Sequence, residues 1–245
     1  MYRKIAVFII FQVVFSLGIK INCQTANVNF ISLDSTINNS NFYISYPVIN
    51  SGNLLIDSTI NQSLVNNILQ SSNTVKDEFV EMMNSFHSFE INHEITYNKN
   101  GILSILYSIY ICSGNCDYTL LPLVYSLDNG KKLKINSIVD TTSLYRNVIK
   151  KEINKQYQEN INRIIIQDKE CNTCSESEHE FYNQYLIPKY KSCMSDFKLD
   201  EFCIYNNEIT FLSDCFFSSA EKQYRPELDF SFSFEEIKPY LKVDL

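Results

Sequence analysis

From Ser88 to Leu127 the chain reads as a series of strands joined by short turns, and this run constrains the fold more than any other feature. Phe89, Ile91, His93, Ile95 and Tyr97 alternate with Ser88, Glu90, Asn92, Glu94 and Thr96, the period of two that puts successive side chains on opposite sheet faces. Asn98-Lys99-Asn100-Gly101 supplies a turn, and Ile102 to Ile111, rich in β-branched and aromatic residues and partly apolar on both faces, suits a central strand. Tyr118 to Leu127 gives a third strand, with Leu121, Leu123, Tyr125 and Leu127 alternating. Asp128-Asn129-Gly130 then predicts a tight hairpin, because Asn-Gly accepts positive φ, and returns the chain as a fourth strand through Leu133 and Ile135.

The flanking segments supply helices and further strands. After a polar stretch, Ala26 to Asn41, the run Phe42, Ile44, Tyr46 reads as an edge strand that Pro47 ends. Leu55, Ile60, Leu64 and Ile68, then Phe79, Val80 and Met83, recur at helical spacing over Leu54 to Leu69 and Val75 to Phe86. Leu144, Val148, Ile153, Tyr157, Ile161 and Ile165 mark one face of a long amphipathic helix from Ser143 to about Ile166. Three closing strands are expected at Glu201 to Tyr205, Ile209 to Phe217 and Leu228 to Phe234, before a short helix over Glu235 to Leu241. The expected fold is α+β, a single mixed or antiparallel sheet packed against the long helix and shorter helices. Residues 24–245 form one domain in this reading, with a polar, cysteine-containing insertion near 167–200.

Composition narrows the function classes. In 245 residues with 45% hydrophobic side chains a sizeable core is affordable. Twenty-one Lys and Arg against 28 Asp and Glu, a net charge of -7, leave no cationic excess to neutralise phosphates, which argues against nucleic acid as a partner. Arg3 and Lys4, an apolar run from Ile5 to Ile19 and a polar exit at Asn22 to Gln24 have the three parts of a secretory signal peptide over residues 1–23. The run is shorter than the roughly 20 residues of a membrane span. Cleavage falls after Cys23 in this reading; in the alternative Cys23 carries a lipid, the one membrane attachment considered, although Ile21 and Asn22 depart from a lipidation box. The expected location is therefore exported: periplasmic, cell-surface or secreted.

Cysteine usage points to the same oxidising compartment. Without Cys23 the chain has Cys112, Cys116, Cys171, Cys174, Cys193, Cys203 and Cys215, enough for three bridges and one leftover thiol, with connectivity open. Cys112 with Cys116 is the locally plausible pair, closing a loop through Ser113, Gly114 and Asn115.

The order of elements then resembles a known family. Leu103-Ser-Ile-Leu-Tyr-Ser-Ile-Tyr110, a Gly-containing loop, and Tyr125-Ser-Leu-Asp-Asn-Gly-Lys-Lys-Leu-Lys-Ile135 are similar to the core of the RsiV-like extracytoplasmic domain (domain of unknown function 3298). Ile204-Tyr-Asn-Asn-Glu-Ile-Thr-Phe211 and Phe232-Ser-Phe-Glu-Glu-Ile-Lys-Pro-Tyr-Leu241 resemble that family's closing hairpin and last strand, so the likeness spans roughly Tyr43 to Leu241. Such domains occur outside the membrane in bacteria, beside peptidoglycan deacetylase domains or in lysozyme-sensing anti-sigma factors. The resemblance implies binding or sensing at the cell wall, with peptidoglycan or a lysozyme-like protein as ligand, and no catalysis. Where the family carries Gly-Ala-His after its long central strand, this chain has Ser113-Gly-Asn-Cys-Asp117.

Candidate chemistry centres on few residues. Ser113, Gly114, Asn115, Asp117 and Tyr118 put rigid hydrogen-bonding groups and a ring at a strand end, as a recognition loop requires, although a plain stapled turn explains them too. Cys171-Asn-Thr-Cys174 has the spacing of a redox dithiol or half a zinc site that would recruit His179 and Cys193. Its acidic neighbours Asp168, Glu170, Glu176, Glu178 and Glu180 oppose a reactive thiolate, and bridges to Cys193, Cys203 or Cys215 are the default. His93 reads as a packed core histidine. Glu90, Glu94 and Asp117 are the carboxylates an alternative reading, a hydrolase of wall or other glycans, would use. No string for a nucleotide, metalloprotease or serine hydrolase site occurs, and no cofactor or metal is expected.

Overall fold

The computed structural model describes residues 25–38, 40–69, 74–212, 215, 217, 221, 224–226, 228 and 230–245. The signal segment 1–23 and the alternatives at Cys23 lie outside these residues. The strands are β1 (Asn27–Ile37), β2 (Ser40–Asn50), β3 (Ser88–Lys99), β4 (Ile102–Ser113), β5 (Asn115–Ser126), β6 (Phe202–Ile204), β7 (Glu208–Phe211) and β8 (Phe230–Ser233). Helices α1 (Leu54–Leu69) and α2 (Val75–Ser85) separate β2 from β3. Helix α3 begins at Thr141–Leu144, passes through a π-helical turn, Tyr145–Ile149, and runs on over Lys150–Glu170. Helix α4 likewise joins Glu176–Glu180, a π-helical turn Phe181–Leu186 and Ile187–Ser195, and α5 (Phe234–Ile237) follows β8.

The α+β class agrees with the sequence reading, but the strands divide between two sheets. A five-stranded sheet runs β1-β2-β3-β4-β5, mixed because β2 pairs parallel with β3, and β6-β7-β8 form a second, antiparallel sheet. Helices α1 and α2 cover one face of the large sheet, where Phe89, Ile91, Leu103, Ile105, Tyr107, Leu123, Tyr125 and Leu127 pack with Ile60, Leu64 and Phe79. The opposite face receives the small sheet, and α3 and α4 lie beyond it, so Tyr97, Ile102 and Val124 share a core with Ile204, Phe232, Tyr157 and Tyr190. The long helix thus lies on the small sheet rather than across the large one. The cysteine-containing stretch near 167–200 carries the Cys171–Cys174 bridge and contributes Tyr182, Leu186 and Tyr190 to this core.

Local chemistry explains where the elements differ from expectation. The segment before Phe42 is a full strand, β1, and β2 continues past Pro47 to Asn50. Proline survives there because pairing with β3 covers only Phe42 to Ile44, leaving no further ladder partner on that side. Beyond it, Asn61 of α1 closes the open edge of β2: its Oδ1 accepts from Ile49 N at 2.8 Å and its Nδ2 donates to Ile49 O at 3.0 Å. The return strand at Leu133 and Ile135 shrinks to a single bridge, Tyr125 with Lys132, and Ile135–Ser137 is a 3₁₀ turn that buries Ile135. A bulge at Ile95/Tyr97 shifts Tyr97 off the face of Ile91 and Ile95 onto the small-sheet side. There Thr96 Oγ1 donates to Ser104 Oγ at 2.8 Å, and Ile204 N donates to the same oxygen at 3.0 Å, tying the two sheets together.

Candidate functional site

The small sheet covers only one end of the large one. On the face it packs against, Ser104 is fully buried and Val124 nearly so, but farther along the same two strands Tyr110, Tyr118 and Leu120 are 39%, 54% and 38% exposed. This uncovered end is organised across the strands. Asp34 stands opposite Tyr43, Tyr43 opposite Glu90, Glu90 opposite Tyr110, and Tyr110 opposite Tyr118, so one transverse row crosses all five strands. Residues directly opposite each other share a face with their Cβ atoms about 5 Å apart. A cleft of about 510 Å3 lies over Asp34, Tyr43, Glu90 and Tyr110, with Asn41 and His87 at its rim. Asn92 Nδ2 donates to Glu90 Oε1 at 2.7 Å, fixing that carboxylate.

The recognition loop expected at Ser113 to Tyr118 is the apex of the β4–β5 hairpin. Cys112 and Cys116 are bridged and paired across it, Ser113 faces Asn115, and Gly114 turns the chain at φ 97°, a left-handed conformation natural to glycine. His87 N donates to Cys112 O at 2.8 Å, anchoring the hairpin to the start of β3. Ser113, Gly114, Asn115, Asp117 and Tyr118 are all exposed. The structure separates them, however: Tyr118 joins the row, whereas Asp117 pairs with Ile111 and so stands on the α1–α2 side of the sheet. Sequence reasoning found Tyr118 and Glu90 and missed Asp34, Tyr43 and Tyr110. Asp34 and Tyr43 reach the rest of the row only through the parallel β2–β3 pairing across α1 and α2, which no local pattern reveals, whereas Tyr110 joins Glu90 and Tyr118 through the β3–β4 and β4–β5 hairpins.

The carboxylates of the hydrolase reading do not converge. Glu90 and Asp117 face opposite sides of the sheet, and Glu90 and Glu94, four residues apart on β3, have Cα atoms about 13 Å apart. Glu94 lies toward the small sheet, where its charge acts on Cys203 and Tyr205. His93 is half-buried, with Nδ1 3.2 Å from Ser45 Oγ and its ring against Tyr107. Burial holds its pKa below the ordinary value, against an opposing hydrogen bond from Ser45.

The remaining cysteines are structural. Cys171 bridges Cys174 across the α3–α4 turn, a pairing not among the defaults, and Cys193 bridges Cys215. The zinc alternative therefore loses its ligands, and His179 is engaged as well, its Nδ1 2.6 Å from Asp168 Oδ1, whose carboxylate also accepts from Asn183. Those two hydrogen bonds, Asn183 first, hold the Asp168 carboxyl below its usual range. Cys203 is the free thiol among the described residues, and burial pushes its pKa up to about 12, leaving it unreactive. Three bridges suit an extracytoplasmic environment, and no helix among the described residues is long and apolar enough to cross a membrane.

No family model matches this sequence, and no curated protein does. Two solved structures do resemble the whole architecture. One, a DUF3298 family member from Bacteroides fragilis, superposes with a TM-score of 0.56 at 14% identity, covering 90% of this chain and 95% of the other. The other, from Pseudomonas aeruginosa, gives 0.52 at 7% identity over 90% and 96%. This chain has the DUF3298 fold. In the DUF3298 fold as this sequence builds it, the row and the stapled hairpin lie at the end of the large sheet that the small sheet leaves open.

Proposed function

We propose that this chain is an RsiV-like member of the DUF3298 family, exported from a bacterial cell, that works by binding a component of the cell envelope and carries out no catalysis. The observation that supports this reading is the open end of the five-stranded sheet, where Asp34, Tyr43, Glu90 and Tyr110 line a cleft and the row continues to exposed Tyr118 on a disulfide-stapled hairpin. Rigid strands hold these groups in place before any ligand arrives, which lowers the entropy cost of binding. Peptidoglycan and a lysozyme-like protein are the two ligands the family resemblance brings forward.

Co-sedimentation with purified peptidoglycan and pull-down on immobilised lysozyme test the proposal. Retention on either, lost when the hairpin tip and the row are substituted, supports it; no retention on both removes it. Acyl mass at the mature amino terminus separates a lipid-modified Cys23 from cleavage after it.

A further inference from the structure

The uncovered row is patterned like a set of sugar subsites. Adjacent strands lie about 4.8 Å apart, so the five positions from Asp34 to Tyr118 span about 19 Å. That step is close to the rise per residue of an extended 1,4-linked glycan. An extended peptide instead gains its main-chain hydrogen bonds by adding to a sheet edge, not by crossing five strands on one face. Tyrosine rings offer flat apolar faces to the C–H faces of a pyranose, while carboxylate and phenol oxygens accept from hydroxyls and amide N–H groups. Glu90 is preset for this by its bond from Asn92.

Charge narrows the choice further. The row carries two carboxylates and no cation, and the whole chain is at -7, so a polyanionic glycan is repelled and a neutral chain rich in donors is not. We infer that this row binds a neutral, β-1,4-linked amino-sugar glycan laid across the strands, the two carboxylates accepting from acetamido N–H or hydroxyl groups and Tyr43, Tyr110 and Tyr118 stacking on the rings. This rests on the envelope-binding reading above and names the ligand class for it.

Calorimetric titration with β-1,4-linked N-acetylglucosamine oligomers from dimer to hexamer tests the inference. Affinity is expected to climb with length as far as the pentamer and to change little beyond it. Tyr110→Ala with Tyr118→Ala weakens pentamer binding by at least about tenfold, with the thermal midpoint unmoved, and Glu90→Gln weakens it less. Affinity independent of length, or unaffected by the tyrosine pair, overturns the assignment. If peptidoglycan sacculi retain the protein while the pentamer neither binds nor competes, the glycan assignment fails and envelope binding stands through another component. If neither holds the protein, both readings fail together.

Discussion

The two ends of the large sheet are made from the same strands with the same alternation, yet one end is core and the other is surface. Along β4, Ile102 and Ser104 disappear beneath the small sheet, while Tyr110, on the same face, is 39% exposed. Along β5 the sequence runs the other way, from exposed Tyr118 and Leu120 to buried Val124. Alternation assigns a residue to a face; what covers that face is decided by the reach of another element, here β6. A large apolar or aromatic side chain at the uncovered end adds less to stability than one beneath the small sheet.

The sharpest way to break this contrast is to truncate both ends. Ile102→Ala, at a site buried beneath the small sheet, is expected to cost about 2–5 kcal/mol by denaturant unfolding, whereas Tyr110→Ala and Tyr118→Ala each stay within about 0.5 kcal/mol. Equal losses at both ends would mean the open face is covered in solution. Ser104→Ala probes the seam between the sheets: it leaves the Thr96 hydroxyl and the Ile204 N–H without their acceptor and should cost about 1–3 kcal/mol.

A smaller effect distinguishes two buried tyrosines beneath the helical face. Tyr125 Oη lies 2.9 Å from Ser63 Oγ, but the buried Tyr107 hydroxyl has no hydrogen-bond partner among the described residues. Tyr107→Phe is therefore expected to raise the unfolding midpoint slightly and Tyr125→Phe to lower it by about 1 kcal/mol. The reverse order would show that a water or a rearranged side chain satisfies Tyr107.

The smallest effect concerns His93. Its folded pKa lies below the ordinary 6.5, so the folded state favours the neutral ring. The unfolded chain binds the proton more readily, and stability falls as pH drops from 6.5 toward the lowered value. His93→Gln should flatten that acid slope in urea titrations; an unchanged slope would assign the acid sensitivity to other groups.

Much of this architecture is legible in the chain because period two and period 3.6 are local. The strands from Phe89 to Leu127 and the helical face of Ile153, Tyr157 and Ile161 could be read directly, and the Cys112 to Cys116 spacing marked the hairpin tip. β1 escaped because its sequence, Asn-Val-Asn-Phe-Ile-Ser-Leu-Asp-Ser-Thr-Ile, is that of an edge strand exposed along most of its length, with weak apolar alternation. The bulge that moves Tyr97 to the other face is likewise silent in a simple alternation count. The row itself could not be read, since its members lie as far apart as Asp34 and Tyr118 and meet only once β2 docks parallel to β3.

Amide hydrogen exchange of the free protein and of the protein bound to peptidoglycan tests the account most directly. Added protection confined to the strand segments around Asp34, Tyr43, Glu90 and Tyr110 to Leu120 is the expected result. Protection that falls instead on α1 and α2, or no protection under conditions where the protein is retained, contradicts a binding face at the uncovered end of the sheet.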